Sequence, residues 1–148
     1  MNVEKILKSE KKIDISSRTV IHVLLVYNKI NESLTSTLKP FDISLQQFNV
    51  LRILRGQKGK PANLNTINER MVTKMSNTTR LVDKLILKGF VKRDICETNR
   101  RKIEIKITKK GEEALSSMDI AMTKNDNDIL KNFSNEELEV LNRLLDKF

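Results

Sequence analysis

The sequence predicts a mainly α-helical domain, six helices with one two-stranded β-hairpin late in the chain, and three observations carry that expectation. Apolar residues recur at three- and four-residue spacing through most of the 148 residues. Strict alternation is found where Ile103, Ile105 and Ile107 interleave with Lys102, Glu104 and Lys106, the period of a half-buried strand. The two prolines, Pro40 and Pro61, fall between helical stretches rather than inside them.

Each element follows from local chemistry. Ser16 or Ser17 is expected to cap a long first helix running to about Leu38, apolar at Val20, Val23, Leu24, Tyr27, Ile30, Leu34 and Leu38, before Lys39-Pro40 stops it. Ser44 with Gln47 has the form of a capping box, after which Leu45, Phe48, Leu51 and Leu54 line a second helix ending near Gly56 to Gly59. A short third helix starts at Asn63 or Asn65 and buries Leu64, Ile67 and Met71, and "VTKMSN" then leaves room for a tight turn. The fourth helix spans about Ser76 to Lys88. It buries Thr78, Leu81, Val82, Leu85 and Ile86 and turns Ser76, Asn77, Thr79, Arg80, Asp83 and Lys84 outward, with Gly89 as its C-cap.

Strands are expected over Phe90 to Cys96 and Lys102 to Thr108, which puts Asn99-Arg100-Arg101 at the hairpin tip and Ile103, Ile105 and Ile107 against the domain. Thr108 opens a fifth helix, apolar at Ala114, Leu115, Met118, Met122, Ile129 and Phe133. Ser134 with Glu137 is a second capping box. The last helix then carries Leu138, Leu141, Leu145 and Phe148 along one stripe, which stays in water unless another helix covers it.

Composition narrows the function classes. The longest apolar run, Val23 to Tyr27, is far too short to span a bilayer, and the charged start MNVEKILKSEKK is not a signal peptide, so a cytoplasmic protein without membrane attachment is expected. One cysteine, Cys96, and one histidine, His22, exclude an internal disulfide and a zinc site built from Cys and His within one chain, so no metal or cofactor is expected. There is no phosphate-binding Gly-rich loop and no nucleophile with a placed base, which argues against an enzyme. The net charge of +9 is unevenly spread. Residues 73–110 carry twelve Lys and Arg against four acids, net +8, whereas residues 111–148 carry nine acids against four bases, net −5. A basic middle beside an acidic arm suggests that one part meets phosphate and the other meets protein.

Two short helices joined by a tight turn, the second polar on its outer face and followed by a basic hairpin, fit a winged helix-turn-helix. An α-helix fits the major groove of B-DNA, so Ser76, Asn77, Thr79 and Arg80 at its leading end are placed to reach base edges. Arg100 and Arg101 at the hairpin tip suit the negative minor groove, and Lys74, Lys84, Lys88, Lys102 and Lys106 suit phosphates.

At these residues the chain resembles the MarR (multiple-antibiotic-resistance regulator) family of bacterial transcription factors. The matching words are "LQQFNVLRIL", "INERM", "TTRLVDKLILKGFVKR", "NRRKIEIKIT" and "TKKGEEAL", in the family's order across residues 45–115. Where the family often has a small Ala, a Gly in the turn and a Ser or Asp cap, this chain has Asn68, Val72 and Lys74, leaving Thr73 or Ser76 as candidate caps. At the wing the family's usual Asp-x-Arg stands here as Asn99-Arg100-Arg101.

The resemblance implies a single domain over 1–148, with a winged DNA-binding lobe at 44–108 and a helical dimerisation region formed by 1–40 and 109–148. Val20, Leu24, Leu138, Leu141, Leu145 and Phe148 would close a homodimer. It also implies occupation of a pseudopalindromic operator on double-stranded DNA, repression rather than activation, and a pocket between the two regions for a small aromatic or anionic effector. The competing expectations are a winged module that binds protein, or an architectural DNA-binding protein without a specific operator.

Overall fold

The computed structural model describes residues 1–73, 77–96 and 99–148, with Cys96 and residues 99–102 described through their backbone. Its helices are α1 (Val3–Leu7), α2 (Ile15–Leu38), α3 (Leu45–Gly56), α4 (Leu64–Arg70), α5 (Thr78–Leu87), α6 (Lys109–Leu130) and α7 (Asn135–Leu145), with a 3-10 turn at Lys39–Phe41. Strands β1 (Val91–Cys96) and β2 (Asn99–Ile107) pair antiparallel between α5 and α6. The fold is therefore the mainly helical, winged arrangement that the periodicities predict.

The caps explain most boundaries. Both capping boxes form: Ser44 Oγ accepts from Gln47 N while Gln47 Oε1 accepts from Ser44 N, and Ser134 pairs in the same way with Glu137. Asn63 Oδ1 accepts from Thr66 N at 2.8 Å to start α4, and Thr108 Oγ1 accepts from Gly111 N at 3.0 Å to start α6. At the long α2 the cap is Asp14, whose Oδ1 accepts from Ser16 N and Ser17 N, so the expected serines are the capped residues and not the cap. Helix α1, capped by Asn2, was not expected, because five residues give no periodicity to read.

The core lies between α3, α4, α5, the hairpin and the first half of α6, closed on one side by Leu38 at the end of α2. Phe48, Leu51, Ile67, Val82, Leu85, Ile105, Leu115 and Met118 are fully buried there. Burying each such side chain contributes about 1.5–3 kcal/mol relative to leaving it in water. Ala62 adds a third strand position, exchanging hydrogen bonds with Ile105 in both directions (3.0 and 2.7 Å), which locks β2 to the loop before α4. Gly111 is required where α6 leaves the hairpin, since a Cβ there would overlap the Phe90 carbonyl oxygen.

Three expectations about the hairpin are corrected. Strand β2 begins at Asn99 rather than Lys102, so Arg100 and Arg101 belong to the strand, not to the tip; the two residues joining the strands, 97 and 98, lie outside the described residues. The register steps from Ile95 opposite Ile103 to Cys96 opposite Asn99, so residues 100–102 bulge out of the ladder. Of the three alternating isoleucines, Ile105 is buried and Ile107 half-buried, while Ile103 is 41% exposed and its cross-strand partner Ile95 is 68% exposed. The hairpin projects past the core that would have covered them.

The terminal helices behave differently. Leu38 is the buried residue of α2, and α7 has none. Val20, Leu24, Leu141, Leu145 and Phe148 are exposed and Leu138 is half-buried. Helix α6 stops at Leu130, leaving Phe133 exposed in the link to α7, and α7 stops before Phe148, which is 93% exposed. No helix among the described residues is long and apolar enough to cross a membrane.

Candidate nucleic-acid interface

Helix α5 stands on the domain surface with Thr78, Leu81, Val82 and Leu85 buried and Thr79, Arg80, Asp83 and Lys84 exposed. That division is the one its 3.6-residue period predicts, except that Ile86, expected to be buried, is half-buried. Thr79 and Arg80 occupy its first turn, and Lys84 follows one turn later on the same side. Asn77 is the residue before the helix, with φ −118° and ψ 29°, and its side chain makes no cap hydrogen bond. Its Oδ1 is buried and accepts no hydrogen bond among the described residues. With its oxygen buried, Asn77 has its amide nitrogen left as the end that a base edge could meet. Lys74 and Ser76 lie outside the described residues, as does the cap role expected of Ser76. Thr73, the other candidate cap, precedes the helix by five positions and does not cap it.

The expected phosphate-binding lysines separate into two groups. Lys84 is exposed and makes no ion pair among the described residues. Lys88, at the C-cap of α5, is instead bound to the Asp42 carboxylate, and its backbone oxygen accepts from Lys110 Nζ at 3.0 Å. The Asp42 carboxyl is held below the usual carboxylate range, first by the hydrogen bond from Lys88 and then by its charge. Lys106 sits 3.2 Å from Glu104, two residues away on the same face of β2. Contact with phosphate by Lys88 or Lys106 would therefore compete with a carboxylate already in place. Arg100, Arg101 and Lys102 fall in the bulged stretch of β2, and their side chains lie outside the described residues.

Sequence reading missed the contact that fixes the hairpin against α5. Arg93 Nη2 on β1 donates to Asp83 Oδ1 on α5 at 2.8 Å, tying strand to helix and neutralising the acid on the helix's outer face. Opposite charges ten positions apart gave no periodic signal, because the two residues lie on different elements. The salt bridge is partly exposed and adds little stability; it joins the buried packing of Val91 and Ile105 in holding the hairpin beside α5.

An open cleft of about 680 Å³ lies between α2 and the start of α3. Asn31, Glu32, Thr35 and Ser36 form one wall, and Lys39, Asp42, Ile43, Ser44 and Gln47 the other. Its lining residues are mostly polar, one lysine against two carboxylates, but carbon makes up the larger part of the surface they present. It is not an apolar slot preformed for an aromatic ring.

Comparison with known proteins agrees with this geometry. The model of the MarR family matches residues 43–103, the segment holding α3, α4, α5 and most of the hairpin. The HTH-type transcriptional regulator PecS of Dickeya dadantii is 29% identical over 119 residues, covering 78% of this chain and 70% of that protein. A MarR-like transcription regulator from Bacillus cereus matches with a TM-score of 0.79 at 25% identity, over 90% of this chain and 96% of its own. A mutant MarR from E. coli complexed with operator DNA matches with a TM-score of 0.76 at 25% identity, over 90% of this chain and 93% of its own.

Proposed function

We propose that this chain, whose residues 43–103 match the MarR family model, is a transcription regulator of that family and not an enzyme, and that it binds a pseudopalindromic operator in the cytoplasm as a homodimer and represses transcription from it. The observation that carries this reading is the exposed leading turn of α5, with Thr79 and Arg80 free to meet base edges and the Arg93–Asp83 pair holding the hairpin beside it. Arg80 is the principal base-reading residue and Lys84 a phosphate contact; Arg100 and Arg101 of β2 enter the adjacent minor groove. The E. coli relative complexed with operator DNA, similar over 90% of this chain, supports a DNA-binding reading.

The uncovered stripes on α2 and α7 support the homodimer. Val20 and Leu24 on one helix and Leu141, Leu145 and Phe148 near the other are left in water by a single chain, and a second copy would remove them from it. Two winged lobes held in this way would meet major grooves about one helical turn apart, the spacing that a palindrome requires. Relief by a small molecule would act through the cleft beside Asn31 and Ser36, because Asp42 in its wall holds Lys88 at the end of α5.

The test is selection of fragments from a random duplex pool by the purified protein at two salt concentrations. Enrichment of a palindrome that survives the higher salt is expected. Retention of DNA without an enriched sequence would favour an architectural role, and no retention at either salt would favour a protein-binding module.

A further inference from the structure

Six of the seven α-helices among the described residues begin with a side chain that accepts a hydrogen bond from the first turn: Asn2, Asp14, Ser44, Asn63, Thr108 and Ser134. Helix α5 is the exception. Asn77 occupies its N-cap position without a side-chain cap, and its carboxamide oxygen is buried without a partner among the described residues. Among the described residues, the side-chain bond made at the start of α5 is a tertiary one: the hydroxyl of Thr78, the first residue of the helix and 3% exposed, donates to Asn68 Oδ1 on α4. Asn68 is half-buried at the third position from the end of α4, so this bond spans the whole turn between the two helices.

We propose that Asn68 is a positioning residue for base recognition: through the Thr78 hydroxyl it sets the position of the first turn of α5, and with it the reach of Thr79 and Arg80. The inference rests on the DNA-reading function above. A local cap fixes a helix end to its own preceding residue and leaves the helix free to pivot against its neighbour. A bond from Thr78 to α4 fixes the end of α5 to the body of the domain instead. Thr79 and Arg80 are the next two residues, so an error in the position of Thr78 passes directly to the side chains that face outward. A buried hydroxyl also has few alternatives, because without its acceptor it stays desolvated and unpaired, which favours displacement of the turn over retention of the same pose.

The measurement is the ratio of affinities for a selected operator and a scrambled duplex of equal length, taken for the full-length protein together with amide hydrogen exchange at the start of α5 without DNA. Asn68→Ala and Thr78→Val are each expected to lower the ratio about tenfold, and the double variant to lower it no further than either alone, since both remove the same bond. Thr78→Ser, which keeps the hydroxyl, is expected to keep the ratio. The exchange of Arg80 and Leu81 should quicken in the two single variants and not in Thr78→Ser. Ile67→Val, which trims the core of α4 without touching the bond, serves as the control: a lower melting temperature with an unchanged ratio separates position from stability. Additive losses, or a ratio unmoved by Asn68→Ala and Thr78→Val while the wild type discriminates, would overturn the inference and leave the DNA-reading function standing. A wild type that does not discriminate would overturn both, and the exchange data would still report whether the bond holds the helix.

Discussion

The winged lobe and the terminal helices carry apolar stripes of the same period and treat them in opposite ways. In α3 and α5 the stripe is taken out of water by the rest of the chain, so that Phe48, Leu51, Val82 and Leu85 are fully buried. In α7 a stripe of equal regularity has no buried residue at all. Charge follows it only in part, with a basic excess on the lobe and an acidic excess on residues 111–148, while residues 1–40 are mildly basic. Periodicity therefore specifies which face of a helix seeks cover but not where the cover comes from. In the lobe it comes from the same chain; for the stripe on α7 the described residues of this chain supply none.

Substitutions in the two regions should have unequal effects. The largest effect is expected in the lobe, where Phe48→Ala should destabilise by about 3–5 kcal/mol in denaturant unfolding, because the ring is fully buried at the centre of the core. Gly111→Ala should cost about 1–3 kcal/mol by forcing α6 away from the Phe90 carbonyl, read in the same experiment. Leu141→Asp combined with Leu145→Asp should leave the spectroscopic signature of the lobe intact while moving the protein from dimer to monomer in gel filtration. A lobe that unfolded with this pair, or a wild type that eluted as a monomer, would erase the distinction between the two regions.

The smallest effect belongs to the link between them. Because the Asp42 carboxyl is held below its usual range in the folded protein, its pairing with Lys88 contributes stability that is present above the ordinary carboxylate pKa. That contribution is lost as pH falls through the folded value. Melting temperatures of the wild type and Asp42→Asn should thus differ slightly near neutrality and converge below about pH 4. The Asp42 side chain is 91% exposed, so solvent screening keeps the difference small.

Much of the fold was legible because local signals agreed with one another. Ser44 with Gln47, Ser134 with Glu137, Asn63, Thr108 and Gly89 each mark a boundary that the structure keeps, and the buried face of α5 follows from spacing alone. The hairpin was less legible. Alternation located the strand from Ile103 onward, but a bulge carries no periodic signature, so Arg100 and Arg101 were assigned to the turn when they belong to β2. The site was legible in its exposed cations and not in its constraints. Lys88 and Lys106 read as free bases, and only the folded chain brings Asp42 and Glu104 to them; Arg93 with Asp83 and Asn68 with Thr78 are pairings across elements that spacing cannot reveal.

We propose that the exposed turn of α5 reads sequence while the charge further along it only holds phosphate. It is tested most directly by titrating Arg80→Ala and Lys84→Ala against a selected operator and a scrambled duplex over a series of salt concentrations. The expected result is that Arg80→Ala narrows the ratio between the two duplexes, by about 1–3 kcal/mol. Lys84→Ala should weaken binding to both alike and reduce the salt slope by about one. Equal losses from the two substitutions, on both duplexes and with the same slope, would contradict it.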